Sequence, residues 1–226
     1  MADLKTAVFC WGRFNPPTIG HGKLLDALIS VAKRKGGRNS DTFVLVSHSV
    51  DPEKNPLTKE QKVFYLKKMF PKQMKYYDVE LNKKKLFLRL IAIILNKYYD
   101  RLIMVVGSDR VSEFRTLLKK YNDVKSRHGY YNFDSINIVS ASERDPDAEG
   151  AMGMSASKMR AAVKANDFKT FKKGLPLTFG RSKDAEALFK QTRKGMHLAA
   201  SYDPTLAEKE KKKLKEGVDS GLPSMA

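Results

Sequence analysis

Four short apolar, β-branched runs are each followed by a stretch with helical spacing. That alternation restricts the chain to folds in which parallel strands are joined by helical crossovers. The runs are Thr6 to Trp11, Thr42 to Ser47, Leu102 to Val106 and Ile136 to Val139. The spacing predicts helices over His21 to Arg34, Leu57 to Phe70, Lys85 to Tyr99, Val111 to Lys120 and Ser155 to Asn166. In the first of these Leu24, Leu25, Leu28, Ile29 and Ala32 are expected to face the sheet. In the second, Thr58 is the expected N-cap, with Val63, Leu66 and Phe70 facing inward. The expected fold is α/β, a Rossmann-like doubly wound parallel sheet covered on both faces. Ligands of such sheets bind beyond the carboxyl ends of the strands, near the point where strand order reverses.

A chain of 226 residues has room for one well-packed domain with a modest appendage. Residues 1–176 carry the strand and helix alternation. Residues 177–226 read as a helical, basic C-terminal extension, with helix candidates over Ala185 to Lys194 and the lysine-rich Pro204 to Glu216, and a frayed end. The single Cys10 excludes an internal disulfide framework and any multi-cysteine zinc site, so a reducing cytoplasm is the expected setting. Met1 to Thr6 contains Asp3 and no long apolar run, so no secretory signal is expected. The most apolar stretch, Leu86 to Leu95, is interrupted by Arg89 and is about half the ~20 residues that a membrane span requires. The GxGxxG, GxxxxGK[ST] and HExxH patterns are absent from the sequence. Lys and Arg number 43 against 25 Asp and Glu, a net charge of +18. Such a surface attracts phosphate, whether as nucleic acid or as a small phosphorylated substrate.

Two segments concentrate groups suited to phosphate. The first, Gly12-Arg-Phe-Asn-Pro-Pro-Thr-Ile-Gly-His21, joins the first strand to the first helix. Gly12 leaves the backbone approachable, and Pro16 and Pro17 stiffen the turn. Thr18 and His21 share one face of the first helical turn, where amide N–H groups and the helix dipole favour an anion. Arg13 adds a fork-shaped donor. The second, Met154-Ser-Ala-Ser-Lys-Met-Arg160, opens another helix with Ser155 as N-cap, and it places Ser157 and Arg160 on one side. Trp11, Phe14 and Met152 are candidates to pack around a base. The acidic loop holding Glu143, Asp145, Asp147 and Glu149 has no spacing that specifies a metal site.

The first segment resembles the signature of the nucleotidylyltransferase superfamily, G-x-F-x-P-x-[H/T]-x-G-H, at every defining position, with Thr18 in the first histidine slot and His21 in the second. Its GRF opening is most similar to the nicotinamide mononucleotide adenylyltransferase branch, and the divergent blocks are reminiscent of phage-encoded relatives. The second segment resembles that family's I-S-S-T-x-x-R pattern. The likeness spans about residues 5–176. It implies catalytic roles for His21, Thr18 and Arg160, and nucleotide or phosphate contacts from Gly12, Arg13, Phe14, Gly20, Ser155, Ser157 and, in the G-x-D turn after the third strand, Asp109. Lys54 and Lys62 match a K-x-x-x-[S/T]-x-E-x-R segment on the acceptor side, with Lys62 where arginine is usual, and His48 is a further acceptor-side candidate. The implied reaction is nucleotidyl transfer from a nucleoside triphosphate, ATP first, to a phosphate-bearing acceptor, nicotinamide mononucleotide first, with Mg²⁺ bridging phosphates and no dedicated protein metal site. Pantetheine phosphate adenylylation and cytidylylation are the alternatives within the class. A nucleic-acid-binding or assembly component on the same fold, acting through the basic surface, is the alternative outside it. An oligomer is compatible with either.

Overall fold

The computed structural model describes residues 4–127, 129–141 and 154–198. The acidic loop, Met152 and the lysine-rich stretch after Pro204 lie outside the described residues. Among the described residues four parallel strands are present, β1 (Thr6–Gly12), β2 (Ser40–Val46), β3 (Arg101–Val106) and β4 (Ser135–Ser140), in the order β2-β1-β3-β4. From β1 the chain moves outward through α1 (Ile19–Lys35) to β2, then returns to the other side of β1 at β3. Strand order therefore reverses between β1 and β3, and their carboxyl ends frame the crevice where such folds bind ligands.

Each strand alternates its side chains between two covered faces, as a sheet buried on both sides requires. Val8, Cys10, Val44, Val46, Ile103 and Val105 enter one apolar cluster, while Ala7, Phe9, Phe43, Leu45, Leu102 and Met104 enter the other. The first face is covered by α1, α2 (Lys59–Met69), α6 (Ala156–Lys164), α7 (Phe168–Lys172), α8 (Leu177–Gly180) and α9 (Lys183–Gly195). The second is covered by α4 (Leu88–Asn96) and α5 (Val111–Lys120). Among the described residues no helix is long and apolar enough to cross a membrane.

Three local readings change. The single helix expected over Lys85 to Tyr99 is replaced by α3 (Val79–Lys83) and α4, because Lys84 is extended and the chain turns to bury Leu86 and Leu88. On α1 the fully buried stripe is Gly22, Leu25, Leu28 and Val31, with Leu24 and Ala32 only partly buried against the core. Gly22 belongs to that stripe because the Phe70 ring lies where its Cβ would be, 2.5 Å away. On α2 the buried face is Lys62, Tyr65, Leu66 and Met69, so a lysine occupies an inward position.

The strand β2 is an edge strand, and its open side is partly covered by one side chain. Asn82 accepts from Val46 N–H at 2.8 Å and donates to Val44 C=O at 3.1 Å. That pair imitates a neighbouring strand and blunts a surface that would otherwise invite further pairing. Residue 176 marks no seam in the packing. Phe179, Ala185, Leu188 and Phe189 join the same apolar cluster as the first sheet face, and the Phe189 ring meets Phe171 at 5.1 Å.

Candidate functional site

The segment from Gly12 to Thr18 leaves the end of β1 and doubles back into α1. Phe14 adopts a left-handed φ of 47°, a conformation that costs free energy for a non-glycine residue and needs support from its surroundings. Support comes from packing. The Phe14 ring is fully buried and lies edge-on to His21 at 4.9 Å between ring centroids. A Cβ on Gly12 would sit 2.8 Å from the same ring, so the glycine is required by Phe14 itself as well as by any approaching ligand. Phe14 is therefore a support beneath His21, and its ring offers no open face for a base.

Thr18 caps α1 and forms a capping box with His21. Its hydroxyl accepts from His21 N–H at 3.3 Å, and its own N–H donates to His21 Nδ1 at 3.0 Å. A backbone N–H can only donate, so Nδ1 is unprotonated and the neutral ring carries its proton on Nε2. Burial pushes the His21 pKa down to about 4. At neutral pH the ring is an uncharged donor at the wall of a cavity. Thr18 is itself buried and acts on the site through His21.

The depressed His21 pKa has a consequence for stability. The unfolded chain, near 6.5, binds a proton that the folded chain resists down to about 4. The stabilisation from keeping the ring neutral is thus present above pH 6.5 and is lost as pH falls through 4. In thermal unfolding series across this window, the wild-type midpoint is expected to fall more steeply with acid than that of His21→Asn. Parallel slopes would show that His21 is not held neutral by the fold.

The second segment approaches from the other half of the chain. Ser155 caps α6, accepting from Lys158 N–H at 3.2 Å, and its Oγ lies 2.9 Å from that of Ser157. Arg160 donates from one guanidinium nitrogen to the Asn15 carbonyl at 2.7 Å, bridging 145 positions of sequence. Burial, followed by the adjacent Arg13 charge, lowers the Arg160 pKa, with the Asp51 carboxylate opposing the shift. The Asn15 side chain, also buried, donates to Leu57 C=O at 3.1 Å and accepts from Leu57 N–H at 3.0 Å. One asparagine thereby ties the loop after β1 to the start of α2.

Beyond β2, the loop from Ser47 to Asn55 brings Ser47, Ser49 and Lys54 to the cavity. Asp51 stiffens it by accepting from Lys54 N–H at 2.6 Å, and such bonds hold its carboxyl below the ordinary range. His48 does not reach the cavity wall. Its Nε2–H donates to Asn82 C=O at 2.8 Å. Lys62 also departs from the acceptor-facing role expected of it. It is fully buried, and its Nζ donates to the carbonyls of Ser47 at 2.5 Å and Ser49 at 3.2 Å, because the inward face of α2 points it under the loop. Burial pushes its pKa down to about 8. Beyond β3, Gly107 and Asp109 line the cavity, with the Asp109 carboxylate folded over Gly107. Trp11 and Phe114 lie beside them with ring centroids 6.5 Å apart, and the buried Trp11 Nε1 has no acceptor among the described residues.

The cavity measures about 1030 Å³. It is lined by Gly12, Arg13, Phe14, Gly20, His21, Lys54, Asp109, Ser155, Ser157 and Arg160 of the residues expected at a site. Its volume lies at the upper limit of the roughly 300–1,000 Å³ usual for small-molecule sites, room for more than one small ligand. Asn15, Ser47 and Ser49 were not anticipated. The only local signal for the serines is a hydroxyl-rich Ser-His-Ser run closing a strand. Cys10 is buried, which pushes its thiol up to about 12 and removes it as a nucleophile. Among the described residues no three metal-ligating side chains come together.

No curated protein matches the chain. The family model described as Cytidylyltransferase-like matches residues 9–166, a span that begins in β1 and ends just beyond α6. It covers more than half of the chain and both phosphate-suited segments, and on that ground the chain belongs to the cytidylyltransferase-like family of nucleotidyltransferases.

Proposed function

We propose that the chain transfers a nucleotidyl group from a nucleoside triphosphate, ATP in the first instance, to a phosphate-bearing acceptor, nicotinamide mononucleotide in the first instance. The observation that carries this reading is the convergence of two helix N-termini, those of α1 and α6, on one cavity that also holds Arg13 and Arg160. Aligned amide groups and two guanidinium groups suit a triphosphate better than any single phosphate. The Trp11 and Phe114 rings, with one donor still unsatisfied, suit a flat heteroaromatic ring that bears an acceptor.

In the proposed reaction an oxygen of the acceptor phosphate attacks the α-phosphorus in line. The bond from that phosphorus to the bridging oxygen breaks, and pyrophosphate leaves with the electron pair. The protein supplies position and charge rather than a covalent intermediate. His21 Nε2–H donates to the transferred group, Arg160 and Arg13 hold the outer phosphates, and the Ser155 and Ser157 hydroxyls fix their register. Mg²⁺ neutralises phosphate charge when it is bound. With no protein cage among the described residues, it would be held by phosphate oxygens and water, an arrangement that this ion favours.

The test is pyrophosphate release from the purified chain with each nucleoside triphosphate and a panel of acceptors, including nicotinamide mononucleotide, pantetheine phosphate and small phospho-alcohols. Turnover confined to ATP and nicotinamide mononucleotide supports the full reading. Turnover with another pair corrects the substrates, and none with any pair overturns nucleotidyl transfer.

A further inference from the structure

Between Glu60 and Asp78 the chain is rich in lysines and aromatic residues and contains no acidic residue. The fold brings part of this segment to one surface. Because α2 turns Lys62, Tyr65, Leu66 and Met69 inward, Phe64, Lys67 and Lys68, at helical spacings of three and four, share the outer face. Phe64 remains 49% exposed there. A 3₁₀ turn (Met74–Tyr76) lies alongside, fixed by the buried Met74 and by a parallel bridge from Tyr77 to Val44 of β2. Across this surface each ring has an ammonium over it. Lys68 lies 5.4 Å from the Phe64 centroid, Lys75 5.0 Å from that of Tyr76 and Lys67 5.5 Å from that of Tyr77. Lys72, between the helix and the turn, is exposed as well.

The acids at the borders are already engaged. Glu60 pairs with Lys59 at 3.7 Å, Asp78 caps α3, Asp26 accepts from Gln73 at 2.6 Å, and Asp184 pairs with Lys68 at 3.2 Å. Lys67, Lys72 and Lys75 have no ion-pair partner among the described residues. Phe64, Lys67, Lys72, Lys75, Tyr76 and Tyr77 do not line the cavity.

We infer that the outer face of α2 and the adjoining turn bind single-stranded nucleic acid without regard to its sequence. An unpaired strand alternates phosphates with flat base faces, and this surface alternates ammonium groups with rings. A duplex hides its base faces, and an acidic peptide has none. The surface is held by the fold before any ligand arrives, so little ordering is lost on binding. The inference goes beyond nucleotidyl transfer and does not depend on it.

The experiment measures fluorescence anisotropy of the full chain with a labelled oligothymidylate of about 16 nucleotides, long enough for one small binding surface, and with an abasic strand of the same length. The wild type is expected to bind oligothymidylate more tightly than the abasic strand and to lose affinity as salt rises. Lys67→Glu with Lys72→Glu and Lys75→Glu should weaken binding by about tenfold or more and reduce the salt slope by about 2, at about 0.7 for each lost phosphate contact. The same charge change at Lys33, Lys35 and Arg38, at and after the end of α1, should cost no more than about threefold at physiological salt, where distant charges are screened. Phe64→Ala should weaken oligothymidylate binding about fivefold or more, the loss of one base stacked on a ring, and leave the abasic strand within about twofold. Equal losses from the two charge variants would reduce the binding to net charge and overturn the inference. So would no binding by the wild type, an oligothymidylate affinity unchanged by Phe64→Ala, or tighter binding of polyglutamate than of oligothymidylate, which would make the face a protein-docking surface. If the triple face variant does not fold, Phe64→Ala, at an exposed position, decides alone.

Discussion

Replacing His21 with alanine is expected to lower the turnover number for pyrophosphate release by about two to three orders of magnitude, the usual cost of removing one preorganised donor to developing charge. The size follows from the state of the ring. Its Nδ1 is occupied by Thr18 N–H and its pKa lies near 4, so Nε2–H is a fixed neutral donor that need not reorganise during the reaction. Such a donor helps most where charge accumulates, so the loss should fall on the turnover number more than on KM. The substitution also removes the acceptor for Thr18 N–H, which costs about 1 kcal/mol of stability, too little to explain the rate. Steady-state pyrophosphate assays beside thermal unfolding separate the two effects. Undiminished turnover in a folded His21→Ala protein would show that the cavity does not perform the proposed transfer.

The second large effect is expected far from His21. Gly195, the last residue of α9, packs so closely on the loop before α2 that a Cβ there would overlap the carbonyl oxygen of Pro56. The obstacle is backbone and cannot rotate away. Gly195→Ala is expected to destabilise the fold by about 3 kcal/mol, the upper part of the range for overpacking. For a domain of this size that corresponds to a melting temperature lower by roughly 10 °C. Pro56 precedes Leu57, which is bonded on both sides to Asn15, so the displacement should also reach the loop after β1. A melting temperature unchanged from wild type would mean that α9 does not dock as described.

What the sequence discloses of this fold is what repeats along it. The strands announce themselves through β-branched runs, and Thr58, Ser155 and Thr18 cap the helices they precede, because capping is a local contest for backbone donors. Both phosphate-suited segments are legible for the same reason: each packs its chemistry into a few consecutive residues. The contacts that assemble them are not periodic. Asn15 bonding Leu57, Asn82 covering the edge of β2 and Arg160 reaching Asn15 join residues 36 to 145 positions apart, and nothing local distinguishes these side chains from others of their kind. Lys62 misleads for a related reason. On composition it is one more lysine among many, and only the rotation of α2 shows that it points inward. The excess positive charge is thereby divided: Arg13, Lys54, Lys62 and Arg160 are tied to the cavity or its supporting loop, and most of the remainder among the described residues is on the surface.

The bond from Arg160 to Asn15 also bears on how the molecule comes into being. During synthesis the first strand, its turn and α1 emerge long before α6, yet the turn is held by a guanidinium that arrives 145 residues later. Ile19 N–H similarly waits for the carbonyl of Gly174, at 2.8 Å in the finished fold. Contacts of such wide sequence separation form late, after the closure of long loops. The turn after β1 is accordingly among the last parts to be secured, and a nascent chain halted before residue 160 would carry the whole sheet with that turn still unheld.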